Sequence, residues 1–180
     1  MTAARGAVAR LVATLVGLAL VASACSSTPS ASKALTTTPA TAGSTSTTST
    51  TLTKAQAAQR YLAIATPVNN AAATLQTQAN GWTNSTTNVE MAADAHPVIQ
   101  AITEAIPSLL KLAQDYPPAA NDLKALVLAV SAVSGDLNGL ADLNELNLST
   151  WESQFKHDES IESAATATVR SDLGLPPTSG

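Results

Sequence analysis

Apolar residues recur along this chain at steps of three and four over most of its last two thirds. No stretch alternates apolar and polar with period two, so the pattern predicts helices and no sheet. The first stripe runs Tyr61, Ile64, Val68, Ala71/Ala72, Leu75, Ala79 and Trp82. Thr53 is placed to cap this helix and Gly81 to end it, with Pro67 bending it on the way. A second stripe runs Val89, Ala92, His96, Ile99, Ile102, Ile106, Leu109/Leu110 and Ala113. It starts at a capping box in which Thr87 and Glu90 exchange hydrogen bonds, and Pro117-Pro118 closes it. The third stripe is Leu123, Leu126/Val127, Val130, Val133, Leu137 and Leu140, with Gly135 and Gly139 leaving its end open. The fourth is Trp151, Phe155, Ile161, Ala165, Val169 and Leu173, with Ser149 or Thr150 as cap. Gly174 suits the left-handed position after it, Leu175 can pack back, and Pro176-Pro177 forbids continuation.

Four such helices joined by short turns predict an all-α, up-down-up-down four-helix bundle over residues 53–180. Chain order then places Trp82, Trp151 and Phe155 at one end and Tyr61 and Tyr116 at the other. Aromatic residues make up only 3% of the chain, so the middle of the core must be alanine and aliphatic side chains.

The first 52 residues follow different rules. Arg5 and Arg10 precede an apolar run from Leu11 to Val21, too short to span a membrane, and Ala22-Ser23-Ala24 stands before Cys25. This is the layout of a secretory signal, residues 1–24, with a small-residue cleavage site. Residues 25–52 begin with that cysteine and continue as Ser, Thr, Ala and Pro with Lys33 the only charge. They have no apolar periodicity and predict a disordered tether.

Composition narrows the function. The formal charge is −4, and about −6 without Arg5 and Arg10, which excludes a phosphate-neutralising nucleic-acid surface. One cysteine excludes an internal disulfide. No nucleophile elbow, phosphate loop, His-Glu-x-x-His or Cys-x-x-Cys occurs, so the chain reads as no enzyme, with no catalytic residue and no cofactor.

Two constellations invite a chemical reading. His96, at the edge of the second stripe, is expected to face Asp158 and Glu162 on the fourth helix, as a salt bridge or hydrogen bond. The run from Ser134 to Glu145 has the spacing of a calcium loop, with Asp136, Asn138, Asp142 and Glu145 as ligands and Gly139 at the turn. Ser134 replaces the usual leading carboxylate, and Leu137 fits the apolar stripe, so a leucine-rich helix end is the competing reading.

Cys25 after its small residues resembles the lipobox of bacterial lipoproteins. Together with the Thr/Ser tether, Tyr61-Leu62-Ala63-Ile64-Ala65-Thr66-Pro67-Val68-Asn69 and Val169-Arg170-Ser171-Asp172-Leu173-Gly174-Leu175-Pro176-Pro177, it resembles mycobacterial and related actinobacterial cell-envelope lipoproteins of unknown function. The resemblance implies lipidation of Cys25 and an extracytoplasmic location on the cell membrane. The expected function is a non-enzymatic binding or interaction module with an envelope protein or polymer as partner. The alternative is a small-ligand or calcium carrier using the bundle interior or the acidic end of the third helix.

Overall fold

The computed structural model describes residues 51–177 and, before them, Val8. Cys25, its lipid, the cleavage site and the tether lie outside the described residues. Within them the fold is all-helical, with four α-helices and no strand.

Helix α1 spans Lys54–Asn80. Thr53 caps it, taking the Gln56 amide at 3.3 Å while the Gln56 side chain accepts the Thr53 amide at 3.0 Å. Helix α2, Asn88–Asp115, opens on the capping box read from Thr87 and Glu90. Such reciprocal caps satisfy amides that have no partner inside the helix. Pro67 in α1 and Pro97 and Pro107 in α2 stand inside unbroken helices. All three lie on exposed faces, where the carbonyls they leave without an amide partner meet water.

A short 3₁₀ turn, Pro117–Ala119, leads into α3, Ala120–Asn138. A second, Gly139–Asp142, extends α3 by one tight turn. Helix α4 covers Leu148–Leu173. It begins earlier than Ser149 or Thr150 would have it, with Asn147 as cap residue. The Asn147 side chain folds backward instead, accepting the Asn144 amide at 2.7 Å and donating to the Asp142 carbonyl at 3.0 Å. The other end is as read: Gly174 has φ +69°, and the Leu175 amide reaches back to the Arg170 carbonyl at 2.8 Å.

Contacts between helix ends set the directions. The Leu52 amide donates to the Asp115 carbonyl at 3.0 Å, and Arg60 pairs with Asp115 at 2.6 Å, joining the start of α1 to the end of α2. Asn88 donates to the Leu143 carbonyl, and the Trp151 indole donates to the Asp136 carbonyl at 2.8 Å. A side chain on Gly174 would strike Lys54, so the end of α4 lies beside the start of α1. Each helix therefore runs antiparallel to its neighbours, and Trp82 and Trp151 share one pole. The α1–α2, α2–α3 and α3–α4 seams are extensively packed, whereas α1 and α4 touch much less.

The stripes of α1 and α3 are buried largely as their spacing predicts. That of α2 is turned: its buried face is Met91, Ala95, Val98, Ile102, Ala105, Leu109 and Leu112, and Val89 is 71% exposed. Alanine fits either face, so the aliphatic residues around it choose. On α4 the buried face is Trp151, Phe155, Asp158, Glu162, Thr166, Val169, Arg170 and Leu173, while Ile161 is exposed. Trp151 stacks on Phe155 with ring centroids 5.1 Å apart. Val8 is also buried in the apolar cluster.

Candidate functional site

The α4 face turned toward the core is unusual in what it carries. Asp158, Glu162, Thr166 and Arg170 follow one another at four-residue intervals, which stacks them along one side of the helix. All four are buried. Burying polar groups costs free energy unless each finds a partner, and the column meets that demand unevenly.

At its upper end the Gln154 amide donates to Asp158 at 2.8 Å. Asp158 faces Asp136, at the last turn of α3. Asp136 is pushed up to about 6, first by burial and then by the charge of Asp158 and the hydrogen bond to it. At the lower end the Arg170 guanidinium donates through Nε and Nη2 to the Pro176 carbonyl, at 2.8 and 2.6 Å. Its Nη1 has no partner.

Between them lies the part with chemical interest. Glu162 is 2% exposed, and Thr166 donates to its Oε1 at 2.7 Å. Oε2 has no hydrogen-bond partner. Burial raises the Glu162 carboxyl above its ordinary range, with the Thr166 hydrogen bond opposing in part. Tyr61 approaches from α1. Its hydroxyl is within hydrogen-bonding reach of Thr166, and burial followed by the nearby Glu162 carries it to about 12. Glu159, one step round the helix, rises to about 7 through burial and then the charge of Glu162.

Glu162 and Thr166 border a cavity of about 30 Å³. The rest of its wall comes from the other three helices and is apolar except for the Tyr61 hydroxyl, with Val68, Ile102, Leu109, Leu126 and Val130 among the contributors. A single water occupies a space of roughly 10–15 Å³ by this measure, and an apolar cavity near 150 Å³ takes benzene. As it stands the cavity admits a water-sized group.

The other candidates fall elsewhere. His96 lies on the exposed face of α2, one residue past buried Ala95, and no hydrogen bond or ion pair joins it to Asp158 or Glu162. The expected pairing is therefore absent, because the turned face of α2 carries the imidazole outward. The calcium-loop spacing falls on helix: Ser134 to Asn138 end α3 and Gly139–Asp142 is a 3₁₀ turn. Asp136 turns to Asp158, Asn138 donates to the Ser134 carbonyl one turn back at 2.9 Å, and Asp142 and Glu145 are exposed. Fully buried Leu137 and Leu140 hold the segment helical, so no ion-wrapping loop forms. Among the described residues no three His, Cys, Asp or Glu side chains converge as a metal-ligand set. The Trp82 indole donates to Asp94 at 2.8 Å near the pole shared with Trp151.

Sequence reasoning placed Asp158 and Glu162 on the inner side of α4 but paired them with the wrong helix. Thr166, Arg170 and Tyr61 went unremarked as partners. The signal was the four-residue spacing of polar side chains through the middle of an otherwise amphipathic helix. No known family model matches this chain, and neither a curated protein nor a solved structure does.

Proposed function

We propose that this chain is an extracytoplasmic lipoprotein, held to the cell membrane through a lipid on Cys25. Its up-down-up-down four-helix domain then serves the cell envelope as a non-enzymatic binding module. The anchor rests on sequence: a positive start, a short apolar run, small residues and a cysteine, followed by a Ser/Thr tether. Two or three acyl chains, each buried CH₂ adding about 0.8 kcal/mol, would hold the domain firmly.

The observation that carries the binding role is Glu162. A buried carboxyl oxygen without a partner, on a residue that lines an apolar cavity at the centre of the domain, lowers stability relative to a hydrocarbon side chain. A group of that kind makes sense where something else supplies the missing hydrogen bond. This favours a ligand taken into the interior over a partner held only on the outer surface.

The anchor is tested by Cys25→Ala in the producing cell. The variant should lose detergent-phase partitioning and either stay uncleaved or leave the membrane fraction. Unchanged processing and retention would remove the lipoprotein reading.

A further inference from the structure

The seam between α1 and α4 is the least packed of the four helix–helix seams. Behind it lies the cavity, lined from all four helices and mostly by aliphatic side chains. Glu162, 98% buried, is among the residues that line it, and one of its carboxyl oxygens is unpartnered.

We infer that the space beside Glu162 is a binding site for an aliphatic molecule carrying one hydroxyl or carbonyl oxygen. The inference rests on the binding-module reading and names its ligand class. The hydrogen-bond order fixes the polarity. Thr166 donates to Oε1, so a proton on the neutral carboxyl sits on unpartnered Oε2, a donor that a group in the cavity can meet. Desolvation favours that neutral form. The complement of a buried O–H donor is an acceptor oxygen, and the complement of the remaining wall is hydrocarbon. An alkyl ammonium would need the ionised carboxylate and would leave its other N–H groups among Val68, Ile102 and Val130. A phosphate or sulfate would carry more charge than one hydroxyl donor and Thr166 can accommodate.

Size sets the route of entry. A cavity of about 30 Å³ holds no alkyl chain, so binding requires α1 and α4 to part along their thin contact. The α1–α2, α2–α3 and α3–α4 seams can stay closed while they do.

The test uses the full chain in its native host, labelled with a photoactivatable diazirine derivative of decanol and mapped by mass spectrometry. Membrane and soluble fractions are labelled separately. A failed anchor then appears as protein in the wrong fraction, and a failed site as no internal adduct in either. The expected adducts fall on residues 61–68 of α1 and 162–166 of α4. Octanol should compete about tenfold better than octane, the worth of one hydrogen bond. In Glu162→Leu that advantage should vanish while labelling of α1 persists. Ala105→Val, which puts two methyl groups into the cavity and leaves Glu162 alone, should abolish labelling at both segments. The inference is overturned if adducts scatter over exposed positions such as Leu128 and Leu146, or if Ala105→Val labels like wild type. It is equally overturned if octylamine outcompetes octanol, or if the octanol preference survives in Glu162→Leu.

Discussion

Helices α3 and α4 face the same core with inner surfaces of different kinds. Along α3 the buried positions are Leu123, Leu126, Val127, Ala129, Val130, Val133, Ser134 and Leu137, hydrocarbon except for one hydroxyl. Along α4, between the aromatic pair at one end and Val169 and Leu173 at the other, the buried positions include two carboxyls, a hydroxyl and a guanidinium. The first surface can contribute by area alone, at about 25 cal/mol per Å². The second depends on protonation state and on whether each polar atom has a partner. Two helices of one small domain thus answer to different variables: α3 to volume, α4 to volume at its ends and to charge in its middle.

Removing large buried groups at the hydrocarbon and aromatic positions should have the largest effects. Trp151→Ala removes a stacked ring and the indole N–H that satisfies the Asp136 carbonyl. It should lower unfolding free energy by about 3–5 kcal/mol, read by denaturant titration. Leu137→Ala, at a fully buried position of α3, should cost about 2–5 kcal/mol. A loss below about 1 kcal/mol at both would mean that the core is loosely packed and that the contrast drawn here is false.

The middle of α4 should respond in the opposite sense. Glu162→Leu replaces a carboxyl lacking one partner by hydrocarbon of similar size, and Thr166 can turn its hydroxyl to the backbone carbonyl one turn back. Stability should stay level or rise by about 1 kcal/mol. A loss as large as that of Leu137→Ala would show that the carboxyl is already satisfied in the folded protein.

Those particulars show what could be read from the chain. Hydrophobic burial leaves a trace at every third or fourth residue, so α3, α1, both Thr caps and the Gly174 ending were legible. The face of α2 was not, because Ala92, Ala93 and Ala95 bury equally well in either of two rotations and periodicity alone gives them no preference. The Asp158–Arg170 column was only half legible. Periodicity ranks Ile161 above Glu162 for burial, and the structure reverses this, with Ile161 45% exposed and Glu162 at 2%. Partners on other helices decide such a case, and those lie about a hundred residues away at Tyr61 and a few dozen away at Asp136.

pH should act more gently, on the carboxyls of α4 and on Asp136 at the end of α3 that faces them. Asp136 at about 6, Glu159 at about 7 and Glu162 also raised all keep their protons to higher pH folded than unfolded. Between about pH 4 and 7 the folded state therefore binds more protons, and stability falls as pH rises. Asp115, held low chiefly by the Lys111 hydrogen bond, works the other way and loses its contribution only below about pH 4. The melting temperature should peak near pH 4 and drop by about 5 °C by pH 8. In Asp136→Asn the drop should shrink. Identical melting at pH 5 and 8 would mean that the column is open to solvent.

The smallest expected effect lies where α4 ends. Gly174→Ala places a Cβ at φ +69° and 2.9 Å from the Lys54 side chain. The left-handed backbone should cost about 1 kcal/mol, while the flexible lysine can swing aside. Calorimetry should find a slightly lower melting temperature and an unchanged pH profile, separating this backbone term from the charges above it.

Lys54 beside Gly174, with Arg170 clasping Pro176, brings the first helical residue and the tail to one pole. A leash fastened ahead of Lys54 pulls on that pole, so under the proposed anchoring the domain hangs with Lys54 and Pro176 toward the bilayer. The Trp82 turn and the Trp151 turn, with Leu146 at 93% exposure, then form the crown that meets the cell wall. An epitope tag inserted after Pro176 would sit in the shadow of the membrane, whereas one inserted at Leu146 would stand in full view of an antibody.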